Sequence, residues 1–362
     1  MKLTGACLSL LVAVFGSAAA AGEQRLAVGG HQPPTIATFS IVARDPLTGD
    51  YGVAVQSRYF AVGAVVPHAA ADTGAVATQA RGNLLYGSEG LALMDQGVAA
   101  GDVIEQLIAS DPLAAERQVG VVDRNGVAAT FTGDKCLAWA GGRTGAHYAV
   151  QGNLLAGPQV VDAIATAYEL APGDFANRLL YALEAGQAAG GDARGRQSAA
   201  LLVVRKDGGY LGLNDRYIEL HVEDHVTPIH ELGRLLRIRQ AQLASEQAKA
   251  VLERALGETD AQQRATLLDE ARQHLLYALD RHPSDDYGWW SLARVHLLKG
   301  DPQSGARAAQ RALLENPAWR RLSAANREAL GVSAELLDAL LQVESFERLW
   351  SSLGMQTTDS AR

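Results

Sequence analysis

Hydroxyl, carboxamide and charged side chains gather at four places in the sequence. The stretch 38–58, TFSIVARDPLTGDYGVAVQSR, alternates as a strand, turns at Asp45-Pro46 and Gly49-Asp50, and returns as a second strand ending in Gln56-Ser57-Arg58. A threonine at the start of such a hairpin, faced by small and polar residues, suits a nucleophile. Its hydroxyl is weak until a base takes the proton. Ser40, two residues on, shares the face of Thr38 and is the second candidate. The returning strand brings Ser57 and Arg58 close to Thr38, where Arg58 suits an anionic substrate group. Thr78, Gln79 and Asn83 follow a short apolar run, GAVATQ, and suit donation of hydrogen bonds to an oxyanion. Gln151 and Asn153 flank Gly152 where a strand meets a helix, a place where backbone N–H groups point outward. The run 190–198, GGDARGRQS, is denser in polar groups than a link requires. Asp192 there suits orientation of an amine, Arg196 can grip a carboxylate with two N–H groups, and Gln197 and Ser198 complete the set.

Each residue has a plainer reading beside it. Thr38 is also a β-branched strand former, Arg58 a surface ion-pair partner, buried glutamines partners for backbone groups, and 151–153 a turn before a helix. Three further signals carry less. The Gly-rich run lacks the GK[ST] ending of a phosphate loop and leads into a strand. His221, Glu223, Asp224, His225 and His230 crowd together without HExxH spacing, so a metal is not expected. Cys136 lies between apolar residues, as core cysteines do, despite its lysine neighbour. Hydroxyl and amine chemistry calls for no cofactor.

The elements that must hold these residues follow from periodicity. Runs 61–66 and 74–79 read as buried strands, 83–97 and 103–107 as two short helices, and 116–131 as a hairpin turning at Asn125-Gly126. A brief strand at 148–151 precedes helices at 158–170 and 175–187, then strands at 198–205 and 217–222. Strands, helices and strands joined by hairpins predict an α+β arrangement of antiparallel sheets covered by helices. From about residue 227 the chain reads as helical, with Thr227 a candidate cap and Pro228 at the first helical position.

Length and composition bound the rest. A chain of 362 residues predicts two domains, and 48% hydrophobic with 20% charged residues describes an ordinary soluble globular protein. A formal net charge of −8 argues against nucleic acid as partner. Residues 1–21 read as a secretory signal, with Lys2, an apolar core at 8–15 too short to span a bilayer, and small residues at 17–21. A periplasmic or secreted protein with no membrane span after cleavage is expected, with residues 22–37 a linker or propeptide. Cleavage removes Cys7 and leaves Cys136 alone, so a disulfide within one chain is excluded.

The stretches TFSIVARDPLTGDYGVAVQSRYFAVGAVVP, GAVATQA, RQVGVVDRNG, YAVQGNLLAGP, EAGQAAGGDARGRQSAALLVVR and DRYIELHVEDH resemble the domain of unknown function 1028 (DUF1028) family, a bacterial family placed among the N-terminal nucleophile (Ntn) hydrolases. That resemblance implies a four-layer α-β-β-α sandwich over 38–240 and, through the superfamily, hydrolysis of an amide or peptide-like bond. An N-terminal threonine brings its own base, because an α-amine titrates near about 7.7–8.0. Thr38 must then be the first residue, so a cut between Ala37 and Thr38 is required. Superfamily hydrolases often carry an acid and a lysine beside the amine; here no lysine falls between Thr38 and Ala80.

In the last third, Ala271, Leu275, Ala278, Leu279 and Pro283 recur 34 positions on as Gly305, Ala309, Ala312, Leu313 and Pro317. With Trp289, Leu292, Ala293, His296 and Gly300 this resembles a tetratricopeptide (TPR) unit. It implies an all-α domain over 241–353, followed by a flexible tail at 354–362, with a helical surface for a protein partner. The reading is an exported hydrolase acting on a small amide or peptide-like substrate. The alternative is a non-catalytic binding or scaffold protein in the same fold. A homo-oligomer is compatible with either.

Overall fold

The structure is a computed structural model that describes residues 38–355. The expected signal, the linker or propeptide, and most of the expected tail lie outside the described residues. The chain begins with a hairpin, β1 (Thr38–Arg44) and β2 (Tyr51–Ser57), in continuous antiparallel register from Thr38↔Ser57 to Arg44↔Tyr51. Asp45 closes its turn by accepting from Leu47 N at 3.0 Å. A short edge strand β3 (Pro67–Ala70) pairs with β4 (Gly74–Ala80), followed by α1 (Leu85–Asp95) and α2 (Ala100–Ala109). The Asn125-Gly126 hairpin joins β5 (Arg117–Asp123) to β6 (Ala128–Thr132). Gly126 takes φ +78°, which the turn demands and a side chain disfavours. The buried Asp123 carboxylate accepts from Asn125 N and Val127 N, and its second oxygen caps α2 through Ala100 N.

Next come β7 (Gly141–Gly145) and β8 (Tyr148–Asn153), then α3 (Gln159–Leu170) and α4 (Phe175–Ala188), and the hairpin β9 (Ser198–Val204) and β10 (Arg216–Val222). The strands form two antiparallel sheets, one ordered β10-β9-β2-β1-β8-β7 and the other β3-β4-β5-β6. The protein is thus α+β, as expected. Alternation sorts each strand's residues. Val42, Val53, Val55, Ala75, Ala77, Val122, Ala149, Ala200 and Leu202 fill one cluster that joins the facing sheets. Phe39, Ile41, Ala54, Val150 and Leu201 point the other way and pack on α3 and α4 through Ile164, Leu179 and Leu183. On the far side, Val76, Val119 and Val121 pack against Val103, Ile104 and Leu107 of α2. Each fully buried side chain of this kind contributes about 1.5–3 kcal/mol.

The helical region consists of α5 (Pro228–Gly257), α6 (Ala261–Arg281), α7 (Asp286–Leu298), α8 (Pro302–Glu315) and three short helices, α9 (Ala324–Ala329), α10 (Ala334–Leu341) and α11 (Glu344–Ser352). Its core is built around Leu275, Trp290, Ala309, Trp319, Leu340, Phe346 and Trp350. The expected division at 240/241 falls inside α5. That helix packs Ile229, Leu232 and Leu236 against the larger sheet and Ala248, Val251 and Leu252 into the helical core. No described helix is long and apolar enough to cross a membrane.

Three local expectations differ from the structure. Residues 61–66 are not a strand: Val62–Ala64 is a 3-10 turn entered through Ala61 at φ +54° and tied by Val62 N to Ser198 Oγ at 3.2 Å. An apolar run of this length fits a buried turn as well as a strand. Thr227 does not cap α5; its N–H and hydroxyl both turn to His225 Nδ1. The strands β3 and β7 carry no strong alternation and were not expected.

Candidate functional site

Thr38 is the first described residue and lies at the end of the central strand, flanked in register by Ser57 on β2 and Asn153 on β8. Because Val42 faces the other sheet, Thr38 and Ser40 do too. The same argument turns Ser57, Gln151 and Asn153 inward, and Gln79, Gln118 and Thr132 meet them from the smaller sheet. One end of the inter-sheet space is therefore apolar and the other is lined with hydroxyls and carboxamides.

The polar end is a connected network. The Thr38 hydroxyl donates to Ser57 Oγ at 3.1 Å. Ser40 Oγ donates to Gln79 Oε1 at 2.6 Å and accepts from Gln151 Nε2 at 2.6 Å. Gln79 Nε2 reaches Gln118 Oε1 at 2.8 Å and the Thr38 carbonyl at 3.4 Å. Gln118 Oε1 also accepts from Asn153 Nδ2 at 3.0 Å, while its own amide donates to Gly152 O and Thr132 Oγ1. Thr38, Ser40, Ser57, Gln79, Gln118, Gln151 and Asn153 all have no exposed surface. None of these side chains ionises near neutrality. Two acceptors, Gln151 Oε1 and Asn153 Oδ1, have no partner. Buried acceptors are usually satisfied, so two in one network mark a place where polarity exceeds what folding needs.

Backbone conformation points to the same end. Ala80, just after Gln79, has φ +65°, and Leu154, just after Asn153, has φ +50°. Such left-handed non-glycine residues cost of order 1–3 kcal/mol each and gather at functional sites. Ser57, Arg58, Asp192 and Ser198 form the adjoining rim. Asp192, 3% exposed, accepts from Arg58 N and Arg194 N at 2.8 Å each and pairs with the Arg194 guanidinium. Arg58 also donates to the Arg194 carbonyl at 2.7 Å. Gln197 N donates to Ser57 O at 3.1 Å, and the Ser198 hydroxyl accepts from Val62 N and donates to Tyr59 O.

The sequence candidates thus divide. Thr38, Ser40, Ser57, Gln79, Gln151 and Asn153 share the network; Arg58, Asp192, Gln197 and Ser198 clasp the loops beside it. Thr78 lies on the opposite face of its strand and donates to Asn83 O at 3.1 Å. Asn83 in turn bonds Asp111 and Leu85 N, shaping the entry to α1. Arg196 stands on the surface, away from the network's hydrogen bonds. Gln118 and Thr132 were missed. The available signal was a glutamine at an inward register position, two residues before Gly120 and four before the buried Val122. Among the described residues no cluster of His, Cys, Asp and Glu could hold a metal ion.

Gly120 makes room for the network. A Cβ there would stand 1.9 Å from Gln151 Oε1. Gly120→Ala should expel the Gln151 amide from its bond with Ser40 and lower the unfolding free energy by about 1–3 kcal/mol, read by urea titration. A variant as stable as the parent would show that Gln151 can swing aside freely.

The model of the family described as "Family of unknown function (DUF1028)" matches residues 38–232, starting at Thr38 itself. The crystal structure of protein SPO2555 from Silicibacter pomeroyi, assigned to the same family model, is 32% identical. It aligns over 55% of this chain and 88% of its own, with a TM-score of 0.51. No curated protein matches.

Proposed function

The chain belongs to the DUF1028 family, and from that premise we propose that it is an exported bacterial hydrolase of the N-terminal nucleophile type, cleaving an amide or peptide-like bond with Thr38. The observation that carries this reading is the position of the Thr38 hydroxyl: first residue of the central strand, 3.1 Å from Ser57 Oγ, in a buried network with no ionisable side chain. A hydroxyl in such surroundings has no side-chain base. The α-amine of Thr38 supplies one once the bond to residue 37 is cut. The amine takes the hydroxyl proton as oxygen attacks the carbonyl carbon, then returns a proton to the departing nitrogen. Water repeats the cycle on the resulting ester and restores the hydroxyl. Carboxamide N–H groups of the network, from Gln79 or Asn153, suit the oxyanion. The two facing sheets with helices outside them agree with a four-layer Ntn-type sandwich. The helices after α5 suit a TPR-like surface for a protein partner.

The full burial of Thr38 favours a second reading, a binding or scaffold protein that keeps these layers while its threonine stays covered. One experiment separates the two. The amino terminus of protein recovered from an exporting host is mapped by intact mass. Chains beginning at Thr38, and chains carrying residues 22–37, are then assayed on a panel of amides and short peptides. Hydrolysis only by the chain that begins at Thr38 is the expected result. Equal hydrolysis by both, or none by either, overturns the mechanism.

A further inference from the structure

A cavity of about 400 Å³ opens where α4 ends and α5 begins, lined by Glu184, Gln187, Ala188, Arg196, Ile229 and His230, with Thr227 at its edge. It lies on the helix side of the larger sheet, opposite the face that bears Thr38. Its volume suits a small molecule. The cavity is polar in a divided way. On one side stand the Glu184 carboxylate and Gln187, whose Oε1 is an inaccessible acceptor with no partner; the last carbonyls of α4 already accept from Ala189, Gly190 and Gly191 N. On the other stand the Arg196 guanidinium, His230, and the first turn of α5.

Among the described residues no side chain satisfies this second side. Arg196 makes no hydrogen bond or ion pair with the described residues. The N–H groups of Ile229 and His230 have no intrahelical carbonyl to meet, and Thr227 has turned its side chain to His225 instead of capping the helix. Opposite helix ends therefore bound the cavity, the negative end of α4 and the positive end of α5. A further unpartnered carboxamide lies beneath the same last turn of α4. Gln56 has no exposed surface and neither of its amide atoms has a partner. It is paired in register with Phe39, whose ring lies 3.3 Å from the Cβ position of Gly186. His230 and Arg237 stand within electrostatic reach of Glu184.

We propose that this cavity binds a small zwitterion of the free amino-acid class. The ammonium faces the Glu184 carboxylate, and the carboxylate faces Arg196, His230 and the N–H end of α5. A purely anionic ligand would leave Glu184 opposing it, and a purely cationic one would meet Arg196. Only a ligand carrying both charges satisfies both halves. Ala188 and Ile229 leave an apolar wall for a side chain.

The test is calorimetric titration of the full chain with each of the twenty protein amino acids. The tightest is then compared with its carboxamide and its N-acetyl derivative, each lacking one of the two charges. Binding by at least one amino acid is expected, with both derivatives at least about tenfold weaker, since hydrogen bonds to charged groups carry that much. Arg196→Ala and Glu184→Gln should each weaken it by a similar factor, whereas Thr38→Ala binds as the parent does, because the site is independent of the nucleophile. Absence of binding by all twenty at millimolar concentration overturns the proposal. So does equal affinity for the two derivatives, a comparison made on the unaltered protein and so immune to misfolding of a variant.

Discussion

Thr38→Ala, made in the chain that begins at residue 38, should reduce hydrolysis by at least about 10³-fold, because it deletes the nucleophile of a unit whose members act together. Thr38→Ser keeps both hydroxyl and α-amine and should retain measurable turnover. Both proteins should show the parent's circular dichroism. The neutral amine is the base, so the rate should climb as pH rises through about 7.7–8.0, the ordinary range of an α-amine, and level off above it. Ser40→Ala should cost less: its hydroxyl is held between Gln79 and Gln151, so its loss acts by loosening the network. A Thr38→Ala protein that keeps the parent's rate would remove this residue from the chemistry.

The second large effect concerns stability. Asp111 and Arg117 form an almost buried pair at 2.8 Å, with side chains 6% and 10% exposed. Burial by itself pushes the Asp111 carboxyl upward. The Arg117 guanidinium, the Leu113 N–H and the Asn83 amide outweigh it and bring the pKa down to about 2. Arg117→Met leaves that carboxylate buried without its cation and should cost about 3–5 kcal/mol, read by urea unfolding at neutral pH. The parent gains this contribution above the unfolded carboxylate value of about 3.9 and loses it as pH falls from there through about 2. The Arg117→Met protein should therefore show a flatter stability profile across that window. Parallel acid limbs for the two proteins would show that the pair sets neither.

The hairpins, the two antiparallel sheets and most helices were legible because alternation, Asn-Gly and Pro at a helix start are local signals. Thr38, Ser40, Gln79, Gln151 and Asn153 were legible as a group because carboxamides and hydroxyls stand out on otherwise apolar strands. What remained hidden depends on which way a strand faces. Thr78 and Gln79 are equivalent in the sequence, yet one shapes the entry to α1 and the other lies in the network. Gln118 was passed over because its strand reads as ordinary core. The turn at 61–66 was hidden because burial alone does not distinguish extended from coiled backbone. The division expected near 240 rested on where one family resemblance gives way to another, and such matches are blind to a helix that packs on both regions.

That helix, α5, has a practical consequence. A chain cut at residue 240 would end in the middle of a rod and lose Ala241 and Ala244, which are buried. A fragment starting there would lose the stretch whose first turns, Ile229, Leu232 and Leu236, anchor it to the sheet. During synthesis the larger sheet cannot gain its last apolar cover until this rod has emerged. By then the rod's far half has fixed the orientation in which every later helix must dock. Excision therefore has no clean seam, and assembly runs in one direction along a common spine.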